Sequence, residues 1–217
     1  MASFDMKDRN VTALILAGGK GRRMGGSDKG LTRLNGRPMI EYCIDAISPQ
    51  VDRILINANR NLDTYRTYGH EIVRDALADY QGPLAGFQAG FMETATDFMV
   101  TLPCDGPRVA PDLVQRLLTA ITADNAEIAV AHDGKRMQPV YALLRSGLRQ
   151  SLERFLATGD RKIDRWYAQH RTVTADFSDC IACFNNINTP QERSSEERRM
   201  RGREEPLQDP SPATTRP

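Results

Sequence analysis

Between Val11 and Gly30 an apolar run, Val11 to Leu16, passes directly into A-G-G-K-G-R-R-M-G-G-S-D-K-G, a segment made mostly of glycine and cations. A short apolar run bounded by glycine reads as a strand buried in a parallel sheet. Glycine admits left-handed backbone and close approach of a ligand. Successive amides in such a loop can converge on an anion. Lys20, Arg22, Arg23 and Lys29 add positive charge where those amides would point. Strand, loop and cations together predict a nucleoside triphosphate site at the edge of a parallel sheet.

Two better-known phosphate loops do not fit. Gly21 and Gly26 have P-loop spacing, but Ser27 and Asp28 stand where the lysine and the hydroxyl residue belong. Gly19 and Gly21 begin a dinucleotide fingerprint, but Met24 takes the place of its third glycine. What remains is L-x-G-G-x-G-x-R-M-G followed by a lysine. That pattern resembles the signature of nucleotidyltransferases, which move a nucleoside monophosphate from an NTP and release pyrophosphate.

The rest of the chain suits such a site. Its 217 residues are enough for one α/β domain. With 29 basic and 28 acidic residues there is no global field to attract nucleic acid or an anionic membrane. No apolar run is long enough to span a bilayer, and M-A-S-F-D-M-K-D-R-N lacks a secretory apolar segment. A cytoplasmic location is expected, and in that reducing setting the four cysteines are expected as free thiols. Cys180 and Cys183 form a C-x-x-C, but no second pair at matching spacing completes a zinc site.

Strand-like runs recur at Val11–Leu16, Arg53–Asn57, Glu71–Val73, Phe98–Leu102, Ala126–Ala131 and Val140–Leu144. Between them, apolar residues at helical spacing predict helices over Pro38–Ile47, Leu84–Thr94 and Pro111–Thr122. This alternation predicts an α/β fold with a mostly parallel sheet and helices on both faces. Ligands bind such sheets outside the carboxyl ends of the strands. Four runs end there in polar groups: Gly18-Gly19, Asn57-Ala58-Asn59, Arg74-Asp75 and Pro103-Cys104-Asp105. Asp105, on the turn P-C-D-G-P, is the best metal ligand, because transfer at an α-phosphate concentrates negative charge that Mg²⁺ and fixed cations offset. Gly82-Pro83-Leu84-Ala85-Gly86 reads as a helix start whose backbone can lie close to a ligand. Thr189-Pro190-Gln191-Glu192 is a capping box opening a short helix with too little apolar content for a packed face. The reading of the whole chain is a flexible leader over 1–10, a single domain over 11–192, and a helix end with a disordered tail over 193–217.

In order along the chain, L-A-G-G-K-G-R-R-M-G-G-S-D-K-G, N-A-N-R, R-D-x-L-A-D-Y-Q-G-P-L-A-G, P-C-D-G-P and F-N-N-I-N-T-P-Q-E resemble the molybdenum cofactor guanylyltransferases, or molybdopterin-guanine dinucleotide synthases. The resemblance runs from Val11 to Glu192. It implies a Rossmann-like nucleotidyltransferase fold, Mg²⁺ as the metal, and transfer of GMP from GTP to the molybdopterin form of the molybdenum cofactor. It implies cofactor biosynthesis proteins and apo-molybdoenzymes as further partners. It assigns nucleotide contacts to Leu16, Ala17, Gly18, Lys29, Asn57, Asp75 and Asp105, and the two glycine motifs add Gly19 and Gly86 to them. Lys29, Arg23 and Asp105 become the catalytic residues, with Asp105 the Mg²⁺ ligand. Asn186 and Asn188 fall on the pterin side. Gly106 departs from the family's usual serine or threonine-like residue, which would loosen the turn. From residue type alone, the basic turns His132-Asp133-Gly134-Lys135-Arg136 and Arg161-Lys162 are pterin-side candidates. Two rival readings remain open: a cytidylyltransferase of the same cofactor, and a non-catalytic GTP-binding module that delivers it.

Overall fold

The computed structural model describes residues 10–19, 28–76 and 82–204. Its centre is a seven-stranded sheet in the order β5-β4-β1-β6-β8-β7-β9. These strands are β1 (Val11–Leu16), β4 (Arg53–Asn57), β5 (Glu71–Val73), β6 (Phe98–Pro103), β7 (Ile128–His132), β8 (Met137–Arg145) and β9 (Thr172–Asp176). A hairpin of β2 (Arg33–Leu34) and β3 (Arg37–Pro38) stands apart from it. β5, β4, β1 and β6 are parallel, β8 is antiparallel to both β6 and β7, and β7 and β9 are parallel. Every strand but β8 therefore ends on one edge of the sheet, and the four polar strand ends named above line up there.

Successive residues of β1 face opposite ways. Ala13 and Ile15 join a core cluster with Ile40, Cys43 and Ile47 of α1 (Met39–Ile47) and Leu113, Leu117 and Ile121 of α4 (Leu113–Ala123). Leu14 joins the other cluster, with Leu84, Phe87 and Phe91 of α3 (Pro83–Glu93), Leu152 and Phe155 of α5 (Arg149–Ala157) and Trp166 of α6 (Ile163–Tyr167). Helices thus cover both faces. α3 lies close against the sheet because its glycines leave room. A Cβ on Gly90 would stand 2.6 Å from Leu14 Cδ2, and one on Gly86 2.6 Å from Leu16 Cδ2.

Several elements differ from the sequence reading. β8 begins at Met137, and the strand expected over Ala126–Ala131 runs Ile128–His132. Pro38 caps α1 from outside and pairs with Arg33 across the hairpin. The structure adds the hairpin, β9, α2 (Leu62–Arg66), α5 and α6, none of which the sequence reading predicts. The hairpin has an Asn-Gly turn, with φ of 48° at Asn35 and 79° at Gly36, the geometry of a two-residue connection. α7 (Pro190–Glu204) opens with the expected capping box: Glu192 N–H donates to Thr189 Oγ1 (3.1 Å), and Thr189 N–H to Glu192 Oε2 (2.9 Å). Contrary to expectation, α7 docks. Glu196 is 4% exposed and paired with Arg108, and Met200 packs on Leu34, Met39 and Ile187. One buried ion pair and one methionine do what an apolar stripe would otherwise do.

The expectation of free thiols holds for Cys43 and Cys104, both buried, and fails for Cys180 and Cys183, which form a disulfide. They lie three residues apart in a 3-10 segment, with Cα atoms 5.5 Å apart, which is ordinary disulfide reach. No helix among the described residues is long and apolar enough to cross a membrane. Residues 1–9 and 205–217, which hold most of the expected leader and tail, lie outside the described residues.

Candidate active site

Two polar groups stand at the carboxyl edge of the sheet. The first joins three chain segments. Lys29 Nζ donates to Asp105 Oδ2 at 2.7 Å and also to Asn188 Oδ1. The Asp105 side chain is 9% exposed and that of Lys29 25%, so the pair is partly withdrawn from solvent and open on one side. Asp105 follows β6, where the Cys104 amide still bonds the Leu16 carbonyl (3.1 Å) and extends the sheet by one step. The Asp105 carbonyl accepts from Ile187 N–H (2.8 Å), which sets Asn186 and Asn188 on either side of that contact. Asn188 N–H donates to Glu192 Oε2 (2.7 Å), so the cap of α7 orients the asparagine that meets Lys29.

Gly106 does not loosen this turn. A Cβ there would lie 2.0 Å from Tyr141 Oη and 3.1 Å from Asn186 Oδ1. The glycine makes room for a buried tyrosine, whose hydroxyl is 3.4 Å from Asn186 Oδ1 and whose ring meets Phe184 edge-on. Beneath the turn, burial pushes the Cys43 thiol up to about 12, and the nearby Asp105 charge adds to this. Cys104 is raised for the same two reasons. Neither thiol is a nucleophile at neutral pH.

The second group lies at the ends of β4 and β5. Asn57 Nδ2 donates to Asp75 Oδ1 and Asn59 Nδ2 to Asp75 Oδ2, both at 2.8 Å, and Asp75 N–H returns a bond to Asn59 Oδ1 (3.0 Å). Gly18 and Gly86 close on it. A Cβ at Gly18 would be 2.8 Å from Asn59 Nδ2, and one at Gly86 2.6 Å from Asn57 Oδ1. The Ala17 amide is bonded to the Asn57 carbonyl (2.8 Å), which leaves the backbone approach in this segment to Gly18 and Gly19.

Among the residues expected in a site, the structure therefore joins Lys29, Asp105 and Asn188, brings Asn186 beside them, and gathers Asn57, Asp75, Gly18 and Gly86 against one another. Arg161 and Lys162 lie between α5 and α6, with Arg161 Nη1 bonded to the carbonyls of Leu156 and Asp160. His132 to Arg136 form the β7–β8 turn, which Asp133 stabilises through the amides of Lys135 and Arg136 (2.8 Å each). Arg23, with Lys20 and Arg22, lies outside the described residues. The sequence reading places Asn59 among the polar strand ends without giving it a role, and it gives none to Asp28 or Tyr65. Asp28 carries a signal, since it adjoins the lysine.

Residues 13–173 match the MobA-like NTP transferase domain. Over 183 residues the chain is 52% identical to the molybdenum cofactor guanylyltransferase of Shewanella loihica, covering 84% of this chain and 93% of that one. The enzyme of the same name from Shewanella halifaxensis is 51% identical over 84% and 92%. A crystal structure of molybdopterin-guanine dinucleotide biosynthesis protein A from Archaeoglobus fulgidus is similar at a TM-score of 0.72 and 21% identity, covering 88% and 99%. A nucleotidyl transferase from Methanothermobacter thermautotroptrophicus gives 0.67 at 20% identity, over 88% and 98%. These two structures share the fold.

Proposed function

The chain belongs to the MobA-like NTP transferase family, and from that premise we propose that it transfers GMP from GTP to the molybdopterin form of the molybdenum cofactor. It is a nucleotidyltransferase of molybdenum cofactor biosynthesis. The finer reading rests chiefly on one observation: Lys29, Asp105 and Asn188, from three separate segments, meet at the sheet edge beside the Asn57–Asp75–Asn59 group.

In this reading a phosphate oxygen of the acceptor attacks the α-phosphorus of GTP. A new P–O bond forms there, the bond from that phosphorus to the bridging oxygen breaks, and pyrophosphate leaves with the electron pair. Lys29 brings a partly desolvated ammonium to the phosphates, aimed by Asn188. Asp105 would be the protein ligand to Mg²⁺: it is a carboxylate, 7% exposed, at the end of β6. One carboxylate supplemented by substrate phosphates and water is the usual manner of binding this ion. When bound, Mg²⁺ neutralises charge developing on the phosphates. Asn57 and Asp75 hold the guanosine, with Gly18 and Gly19 beside it, Leu16 and Ala17 behind, and Gly86 keeping α3 close. Arg23 supports the triphosphate, and Asn186, Asn188, Arg161 and Lys162 serve the pterin side.

The test is kcat/KM for GTP, CTP and ATP with purified molybdopterin cofactor, reading pyrophosphate and the dinucleotide. A polar edge built for guanine leaves unpaired groups against adenine, and such mismatches discriminate by roughly 10⁴-fold. CTP equal to or better than GTP would move the chain to cytidylyl transfer. Nucleotide binding without pyrophosphate release would make it a delivery module.

A further inference from the structure

Asp28 carries a carboxylate that the proposed chemistry leaves without a role. Its side chain is 5% exposed. Oδ1 accepts from Tyr65 Oη at 2.5 Å, and Oδ2 accepts from Asn61 Nδ2 at 2.9 Å with Arg60 Nε 3.6 Å away. A carboxylate buried at this depth is costly unless its oxygens are satisfied. Here both oxygens face donors, all of them carried by the segment from Arg60 to Tyr65 that leads into and forms α2. Burial, with Asp28 contributing, pushes the Tyr65 hydroxyl upward, so it remains a donor at any working pH.

The backbone around Asp28 is equally tied. Its carbonyl accepts from Leu31 N–H (3.2 Å), Thr32 N–H (3.0 Å) and Thr32 Oγ1 (3.1 Å). The Gly30 carbonyl accepts from Ile40 N–H in α1 (3.0 Å). Gly30 lies so near Tyr65 that a Cβ would stand 2.6 Å from its hydroxyl. The turn is thus bolted to α2 through Asp28 and to α1 through Gly30. Lys29 lies between the two anchors and alone sends its side chain across to Asp105 and Asn188.

We propose that Asp28 is the positioning residue for Lys29, fixing the turn from which the lysine ammonium reaches the reacting phosphates. This rests on the proposed role of Lys29. It predicts that the Asp28 ties act on kcat through that lysine, and that a change there has nothing left to act on once the lysine is gone.

Asp28→Ala, Tyr65→Phe and Lys29→Ala are compared singly and in pairs with Lys29→Ala. Pyrophosphate release is measured with GTP and molybdopterin, GTP binding at equilibrium, and thermal unfolding alongside. Small misplacement of a catalytic group costs up to about a hundredfold. The expectation is therefore a fall of roughly ten- to a hundredfold in kcat for Asp28→Ala, a smaller one for Tyr65→Phe, and GTP affinity changed by less than about threefold. Asp28→Ala should change nothing further in the Lys29→Ala background. Full additivity with Lys29→Ala overturns the inference. So does a lowered Tm with unchanged kcat at a temperature where every variant is folded. If Asp28→Ala does not fold, the Tyr65→Phe pair with Lys29→Ala makes the same comparison. If Lys29→Ala alone turns over at the wild-type rate, the reading of Lys29 falls and this inference with it. A slow Lys29→Ala combined with additive Asp28→Ala sinks only the inference.

Discussion

At the scale of single residues, the chemistry depends on charge held in place and the turn on one missing methyl group. In the proposed chemistry Lys29 is a preorganised cation, and removing such a group is expected to cost about 3–4 kcal/mol of transition-state stabilisation. Lys29→Ala should lower kcat strongly while GTP still binds; a raised KM with unchanged kcat would mark it as a ground-state contact. Asp105→Asn keeps size and removes charge. It should cost on the order of a thousandfold in rate, and near-wild-type turnover at saturating Mg²⁺ would refute its assignment. Gly106 is a matter of space. Gly106→Ala sets a Cβ 2.0 Å from Tyr141 Oη but 3.4 Å from Tyr141 Cζ. Overpacking of this kind costs about 1–3 kcal/mol. Tyr141→Phe removes the clashing atom and keeps the ring, so the double variant should recover most of the lost Tm; equal Tm losses in both backgrounds would show that the tyrosine is not the obstacle. The sequence marked Lys29, Asp105, Asn57 and Asp75 because charge and asparagine at strand ends are visible in one dimension. It did not mark the need for glycine at 106, since Tyr141 is distant in the chain.

At the scale of elements, α7 is the part most altered by the structure. Its composition offers no apolar face, yet Glu196 and Met200 seat it and Glu192 fixes Asn188. A chain ending at Arg201 keeps all three and should retain its Tm and transfer activity. One ending at Thr189 should lose both, and full activity in it would show that Asn188 needs no support from α7. The Glu192 carboxyl is held below its ordinary 4.5, chiefly by the Asn188 amide, with Thr189 and the Lys29 charge adding. A depressed acid stabilises the fold fully above its unfolded value and loses that contribution as pH falls through the folded one. Tm of the wild type should therefore fall more steeply on acidification than that of Glu192→Gln, which lacks the contribution at every pH. Parallel Tm profiles would show that the Glu192 charge does not support the cap.

At the scale of the molecule, two cores pack on opposite faces of one sheet and the polar groups share one of its edges. Occupying that edge should stabilise the whole fold. GTP with Mg²⁺ at about a hundred times its Kd adds about 2.7 kcal/mol, roughly 5–10 °C in Tm for a domain of this size. ATP at the same concentration should give much less, and equal shifts would argue against guanine selectivity. The β-α alternation, the parallel half of the sheet, the helices on both faces and the line of polar strand ends are legible in one dimension, because they follow from local periodicity and from residues adjacent in the chain. An Asn-Gly hairpin was equally local and still passed over. The reversal of β8, the docking of α7, the pairing of Lys29 with Asn188 and the anchoring of Asp28 on Tyr65 come from contacts between distant segments. Those depend on which distant segments come within hydrogen-bond or packing distance, and periodicity carries no information about that.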